Sequence, residues 1–396
     1  MQSFIYNNPT KVIFGRDAEE NTAKEIKNFG GKKVFIVYGS KSIKESGLLK
    51  KIENIIKNEN IEYELFGNVR ANPTLSYARE GIKKAVNFKA DFILGIGGGS
   101  VIDTAKAVAH GAANPNDDIW DFWMGLKEVK KSLPIGCILT IAAAGSETSM
   151  SAVLTNEETL DKRGLPIEFN RPKFAIMNPC ITFTLPYYQI GCGITDMLMH
   201  TLDRYFGDSE GSVNGDNNQT TDAIAEAVLR TILKNGLIAM KDKTNYDAMS
   251  ELMWLGSLSH NTLTGLGLSS DFITHKFGHE LSAKFDCAHG ASLSAVWGSW
   301  AKYCLKDKKE RFIQYSKNVW GINDDDTGLK GIEKTIEYFK QINMPTNFTE
   351  LGIGVQSEEV IEDLTRRCIK DGKLKFNHFR ALNREDVYNI FKTANI

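Results

Sequence analysis

Phe92-Ile93-Leu94-Gly95-Ile96-Gly97-Gly98-Gly99-Ser100-Val101-Ile102-Asp103 reads as a buried strand running straight into a glycine-rich turn, with a helix expected over Thr104–His110. Such a turn lets backbone N–H groups approach a phosphate closely, and the helix N-terminus behind it favours the anion. The stretch matches neither Gly-x-Gly-x-x-Gly nor the P-loop pattern, since no Gly-Lys-Ser/Thr follows. Glycine clusters also make ordinary tight turns. Strand before and helix after are what mark Gly97, Gly98, Gly99 and Ser100 as a dinucleotide or phosphate loop.

Upstream, strand and helix alternate. Lys11–Gly15 reads as a short strand, Ala18–Asn28 as a surface helix, and Lys33–Tyr38 as a buried strand closed by Gly39-Ser40-Lys41-Ser42. A helix around Leu48–Asn58, a strand over Glu62–Phe66 and a helix over Ser76–Asn87, entered through Asn72-Pro73-Thr74, continue the rhythm. This is the pattern of β-α-β units building a parallel sheet. Pro134–Thr140 reads as a further buried strand, and it runs into the small residues Ala142–Ser149, suited either to a ligand lying against the chain or to a packing turn. From Tyr187 onward helical patterns dominate, over Asn217–Leu233, Asp247–Thr262 and Glu310–Trp320. The expected architecture is an α/β dinucleotide-binding domain with a parallel sheet at 1–184, followed by an all-α metal-binding domain at 185–396, with the boundary near Ile181–Pro186.

The 396 residues suffice for two or three ordinary domains, and 42% hydrophobic content supports well-formed cores. With 48 basic against 49 acidic residues the net charge is -1, so nothing points to a nucleic-acid or membrane partner. The six cysteines include no Cys-x-x-Cys pair, which argues for a reducing compartment and against a thiolate metal site. Met1–Phe14 lacks an apolar signal core, and no run reaches the ~18 apolar residues of a spanning helix. A cytoplasmic location is expected.

The helical half carries the chemistry. Asp196 and His200 are four apart on an expected helix and share one face; His275 and His279 repeat that spacing on a second helix, and His289-Gly290 follows. A single histidine on an apolar face is more often a hydrogen-bonded core residue than a ligand. Here three of the seven histidines fall within Thr274–Gly290. One carboxylate with two or three imidazoles is the donor set of a divalent metal of borderline hardness.

Taken in order, Gly97–Asp103, Thr140 with Gly145-Ser146-Glu147, Asp196-x-x-x-His200, His275-x-x-x-His279 and His289-Gly290 resemble the iron-dependent alcohol dehydrogenases, more narrowly the branch of butanol dehydrogenases and broad-range aldehyde reductases. Val37–Lys44, Leu133–Thr140, Met253-Trp254, Gly278–Ala283 and Asn318–Gly321 add to the likeness, which covers nearly the whole chain. The resemblance implies one divalent metal, Fe²⁺ or Zn²⁺, held by Asp196, His200, His275 and His289. It places His279 near the reacting carbon, as a proton relay or substrate contact. It implies that Thr140, Ser149, Ser151 and Lys162 line a nicotinamide cofactor, with Asn72 near its adenosine side. Asp103 either reaches the nicotinamide-side ribose or amide, or serves the helix as a cap. The implied activity is hydride transfer between NAD(P)H and a primary alcohol or aldehyde of the butanol and butyraldehyde kind, in a homodimer.

A carboxylate at the end of the second strand would bind the adenosine ribose hydroxyls and repel a 2′-phosphate. That strand instead ends in Gly39, Ser40, Lys41 and Ser42, with Lys44 close behind, so NADP is expected to be preferred to NAD. Departures from the family pattern are the short Gly164–Asn170 segment, Asn178 where Asp is usual, and Thr148-Ser149-Met150 after Gly-Ser-Glu. Trp254, Phe272 and Phe277 are candidates to wall an apolar pocket, or else core. Alternatives are a polyol dehydrogenase or related metal- and NAD-dependent lyase on the same scaffold, and a non-catalytic binding protein, against which all four implied ligands stand.

Overall fold

The computed structural model describes residues 2–208 and 218–396. Residues 7–185 form one compact unit, and residues 2–6 with 186–396 form another.

The α/β unit begins with β1 (Lys11–Phe14), α1 (Thr22–Asn28), β2 (Lys33–Tyr38), α2 (Ser42–Glu45), α3 (Leu48–Asn58), β3 (Glu62–Phe66) and α4 (Leu75–Phe88). It continues with β4 (Phe92–Gly97), α5 (Gly99–Ala113), α6 (Ile119–Trp123), β5 (Ile135–Leu139), β6 (Ser151–Asn156), β7 (Asp161–Pro166) and β8 (Phe174–Met177). Six strands form a parallel sheet in the order β1-β8-β5-β4-β2-β3, while β6 and β7 make a separate antiparallel pair. Alternation along β2 explains the layers. Val34, Ile36 and Tyr38 pack with Ile26 of α1 and Leu49, Ile52 and Ile56 of α3. Phe35 and Val37 point the other way, into a core with Ala85 of α4 and Val101, Ala105 and Val108 of α5. A strand buried on both faces needs helices on both, which is the doubly wound arrangement.

Chain order reverses at β2: β3 lies on one side of it and β4 on the other. Ligands of open α/β sheets bind outside the carboxyl ends of the strands at such a switch point. Here those ends carry Gly39-Ser40-Lys41-Ser42 and Gly97-Gly98-Gly99-Ser100.

Three features differ from the sequence reading. Helix α5 starts at Gly99 rather than Thr104, because Val101 and Ile102 are already helical and buried against the sheet. The β6–β7 hairpin carries charge and Gly-Leu-Pro and has the composition of a loop; it pairs nonetheless, from Ser151 opposite Pro166 to Asn156 opposite Asp161. β8 is four buried residues inserted between β1 and β5, too short to announce itself.

The helical unit comprises α7 (Tyr187–Tyr205), α8 (Gln219–Lys241), α9 (Tyr246–His260), α10 (Ile273–Phe285) and α11 (His289–Leu305). It ends with α12 (Lys309–Trp320), α13 (Leu329–Gln341), α14 (Glu358–Cys368) and α15 (Arg384–Ala394). Asn217, the expected start of α8, lies outside the described residues. Among those residues no helix is long and apolar enough to cross a membrane.

His110 of α5 shows how the α/β unit spends a buried polar group. Its Nδ1 lies 2.9 Å from Ser132 Oγ and its Nε2 2.8 Å from Asn170 Oδ1, tying α5 to the segments before β5 and β8. Burial pushes the imidazole from 6.5 down to about 4, the Asn170 bond opposing and the Lys106 charge adding to it. The neutral ring therefore stabilises the fold fully above pH 6.5, and this contribution is lost as pH falls towards 4, where the unfolded chain binds the proton first. At pH 5 the loss amounts to about 2 kcal/mol. The drop in Tm between pH 7 and pH 5 is expected to be smaller in His110→Gln than in the wild type; equal drops would exclude His110 as the cause.

Candidate functional site

Helix α7 is buried on nearly every side from Ile190 to Tyr205, so the polar groups it carries must find partners inside the protein. Asp196, His200 and Asp203 follow one another at four and three residues, on one face. Asp203 reaches the start of α10, whose own N-cap, Phe272, supplies no side-chain bond. Its carboxylate accepts from Thr274 Oγ1 at 2.5 Å and from the Thr274 and His275 backbone N–H groups at 3.3 Å. An anion at a helix N-terminus is favourable in itself. Asp203 Oδ2 also lies 2.6 Å from His275 Nδ1. The proton therefore sits on Nδ1, and Nε2 becomes the acceptor.

That acceptor lies 3.7 Å from Asp196 Oδ1, and His200 Nδ1 and His289 Nε2 lie 3.8 and 3.7 Å from the same oxygen. His289 is brought there by a close helix contact. A Cβ on Gly290 would stand 2.2 Å from the Cys192 carbonyl oxygen, so the start of α11 meets the α7 backbone only because this position is glycine.

The donor atoms of Asp196, His200 and His275 lie within 4.8 Å of one another, too far for hydrogen bonds and close enough for one small cation to bridge. Asp196 Oδ1, His200 Nδ1 and His275 Nε2 are buried without a hydrogen-bond partner, a costly arrangement of acceptor against acceptor. A divalent cation removes that cost, and an oxygen-plus-imidazole donor set suits Fe²⁺ or Zn²⁺. Burial, then His260, His275, Arg204 and His289, hold His200 well below its ordinary range, which keeps its lone pair available. Burial opposes protonation of His275 too, but the Asp196 and Asp203 carboxylates outweigh it and raise that ring. Asp196, at 3.7 Å, acts through its charge, and Asp203 through a hydrogen bond at 2.6 Å as well. His279 stands apart from the cluster, half-buried, its ring 5.3 Å from that of His289 and 6.4 Å from that of His275.

In the α/β unit the glycine loop lies between β4 and α5. No side chain caps α5; the Val101 and Ile102 N–H groups donate to the Gly98 carbonyl, and those of Gly99 and Ser100 could hold an anion. A Cβ on Gly98 would lie 3.1 Å from Ile141, and one on Gly99 3.2 Å from Ala144, so the loop after β5 closes over the turn. Thr140 joins it by donating its N–H to the Gly97 carbonyl at 3.1 Å. Ser40, Lys41, Ser42 and Lys44 are exposed after β2. Lys162 donates to Asn72 Oδ1 at 2.9 Å, bringing those two positions together. Asp103 is no cap: its oxygens accept from Ser146 Oγ at 2.6 Å and the Val153 N–H at 2.9 Å. Ser149 Oγ accepts from the Ser151 N–H at 3.0 Å.

Residues 9–179 match the family described as iron-containing alcohol dehydrogenase, and residues 192–395 match its C-terminal domain. The chain belongs to the iron-containing alcohol dehydrogenase family. It is 37% identical to NADH-dependent butanol dehydrogenase A of Clostridium acetobutylicum, over 100% of both chains. It is 32% identical to the NADPH-dependent aldehyde reductase YqhD of Escherichia coli, again over 100% of both. The crystal structure of a Thermotoga maritima NADH-dependent butanol dehydrogenase A superposes with a TM-score of 0.93 at 34% identity, covering 100% of this chain and 99% of that one.

Several residues of this family member escaped the sequence reading. Asp203 had a signal, the i, i+4, i+7 face it shares with Asp196 and His200. Lys106 had none: its ammonium is fully buried and donates to the Ser146 carbonyl and Oγ, both at 2.8 Å, and to the Ser149 and Ser151 carbonyls at 3.3 and 2.7 Å. Arg204 had the same kind of signal as Asp203, one helical turn beyond His200 on α7, whereas His260 reaches His200 from α9, which no spacing pattern connects to it. Of the three aromatic pocket candidates, Phe272 meets the His275 ring at 5.5 Å. Phe277 is core against Phe391, and Trp254 is 40% exposed. Asn178, one of the departures, donates to Glu19 Oε2 at 2.9 Å and accepts from the Cys180 N–H.

If Asp203 holds His275 for a metal, Asp203→Asn weakens metal affinity about 10- to 100-fold. Competition with a chromophoric chelator measures this, and unchanged affinity would assign Asp203 a purely structural role.

Proposed function

We propose that this family member reduces short-chain aldehydes of the butyraldehyde kind, and oxidises the matching primary alcohols, with Asp196, His200, His275 and His289 holding its metal. The protein is a metal-dependent, NAD(P)-dependent alcohol/aldehyde oxidoreductase. The observation that carries the assignment of residues is the convergence of three imidazoles on one buried carboxylate oxygen at 3.7–3.8 Å.

When bound, the divalent cation supplies Lewis-acid chemistry at the substrate oxygen and the nicotinamide supplies the hydride. The chain supplies the rest. Asp203 keeps the His275 proton on Nδ1, and the apolar burial of α7 excludes water from the Asp196 side. His279, half-buried one turn beyond His275, is placed to contact substrate and exchange its proton with solvent. Gly97, Gly98, Gly99 and Ser100 hold the pyrophosphate at the α5 N-terminus. Gly39, Ser40 and Ser42 contact the adenosine ribose, and Asn72, Thr140, Ser149, Ser151 and Lys162 line the rest of the cofactor. Asp103 works through Ser146 rather than on the cofactor.

Exposed hydroxyls and Lys41 and Lys44 after β2, with no acid among Gly39–Lys44, favour NADPH. A homodimer is supported by β1, an edge strand whose Phe14 is 41% exposed. A cytoplasmic location is supported by the cysteines, among which no disulfide forms in the described residues.

The test is NADPH and NADH oxidation with butyraldehyde by chelator-stripped protein reloaded with Fe²⁺ or Zn²⁺. Turnover is expected only after reloading, and Asp196→Ala is expected to lose at least about 10³-fold in kcat/KM. Turnover surviving in Asp196→Ala would remove that residue from the site. Bound metal without aldehyde reduction would redirect the search to polyols. NADPH should give the higher kcat/KM, and Ser40→Asp should shift the preference towards NADH by roughly tenfold or more. A clear wild-type preference for NADH would overturn the nucleotide assignment.

A further inference from the structure

His260, the last residue of α9, lies fifteen positions before His275 and belongs to no spacing pattern, yet its ring lies flat against His200. The two ring centroids are 3.9 Å apart at an interplanar angle of 22°. The opposite face of His200 is covered by His275, 4.4 Å away at 20°. His200 is thus the middle ring of a three-imidazole stack, held on both faces, with only its ring edge left for chemistry. That edge turns Nδ1 towards Asp196.

Arg204, one turn beyond His200 on α7, holds the outer ring of the stack. Its Nη2 lies 3.0 Å from His260 Nδ1, while its Nη1 donates to the His200 carbonyl at 2.9 Å and the Ser259 carbonyl at 2.7 Å. A guanidinium has donors only, so His260 Nδ1 is the acceptor and the ring's hydrogen sits on Nε2. Arg204 lies over the Phe272 ring at 4.6 Å, and a Cβ on Gly265 would stand 2.6 Å from its Cδ. The cation is therefore clamped, and with it the angle of His260.

We propose that Arg204 and His260 are positioning residues for the metal site: Arg204 orients the His260 ring, and the face of that ring fixes His200 in the rotamer that presents its nitrogen to Asp196. This rests on the metal reading above. Its physical basis is preorganisation, because a ring stacked on both faces has lost its χ2 freedom before the cation arrives.

The experiment titrates chelator-stripped protein with Co²⁺, following the visible ligand-field bands, and records the Tm of each metal-free variant. His260→Ala is expected to weaken Co²⁺ binding about tenfold or more and to change the bands, with the metal-free Tm kept within a few degrees. His260→Phe, which keeps a flat face but cannot accept from Arg204, is expected to recover only part of the affinity and to lie between His260→Ala and the wild type; full recovery would remove Arg204 from the proposal. Wild-type affinity in His260→Ala, or His260→Phe no better than His260→Ala, overturns the proposal while leaving the metal reading intact. Failure of the wild type to bind Co²⁺, or binding undiminished in Asp196→Ala, overturns the metal reading and this proposal with it.

Discussion

A carboxylate and several imidazoles taken out of water together cost several kcal/mol each unless something compensates their lone pairs. The helical unit is arranged around that cost. Asp196 and His200 lie on a helix buried along most of its length, and their inward atoms have no hydrogen-bond partner. Asp203, one turn further on, is fully engaged. Its oxygens take up a helix N-terminus, a threonine hydroxyl and one nitrogen of His275, which leaves the other nitrogen aimed at Asp196. Gly290 then allows α11 to approach the α7 backbone and deliver His289. Each step is a response to acceptors crowded around a single point.

The α/β unit meets the same difficulty with a cation. Lys106 is completely enclosed, and burial pushes its ammonium down to about 8, with the Asp103 charge opposing. Oxygens from Ser146, Ser149 and Ser151 surround it. One charge thereby ties α5 to the segment leading into β6, the same segment that carries two of the proposed cofactor contacts. The serine-rich segment is thus positioned against α5 by a single buried group. A surface lysine could not do this, because water would compete for every bond.

Much of the framework was legible in the chain because it is local. β2, α3 and β3 begin and end where alternation and turn residues place them, since a strand buried on both faces and a one-faced helix each write their period into the sequence. The β6–β7 hairpin was not legible. Asp161-Lys162-Arg163-Gly164 has no apolar alternation, and the pair is held by long-range bonds such as the Thr155 N–H to the Pro73 carbonyl at 2.9 Å. β8 is held by neighbours on both sides rather than by its own four residues.

For the site, the sequence by itself determined which residue types were available and that helical spacing would put Asp196 beside His200 and His275 beside His279. It also marked Gly97–Ser100 as a turn between strand and helix. Only the tertiary structure decided which histidines face Asp196, that Asp203 turns His275, that Asp103 serves Ser146 and Val153, and that His260 lies on His200. The physical reason is range. A helical period relates residues three or four apart, whereas a ring stack or a buried ion's shell is assembled from segments tens of residues apart, and no period connects them.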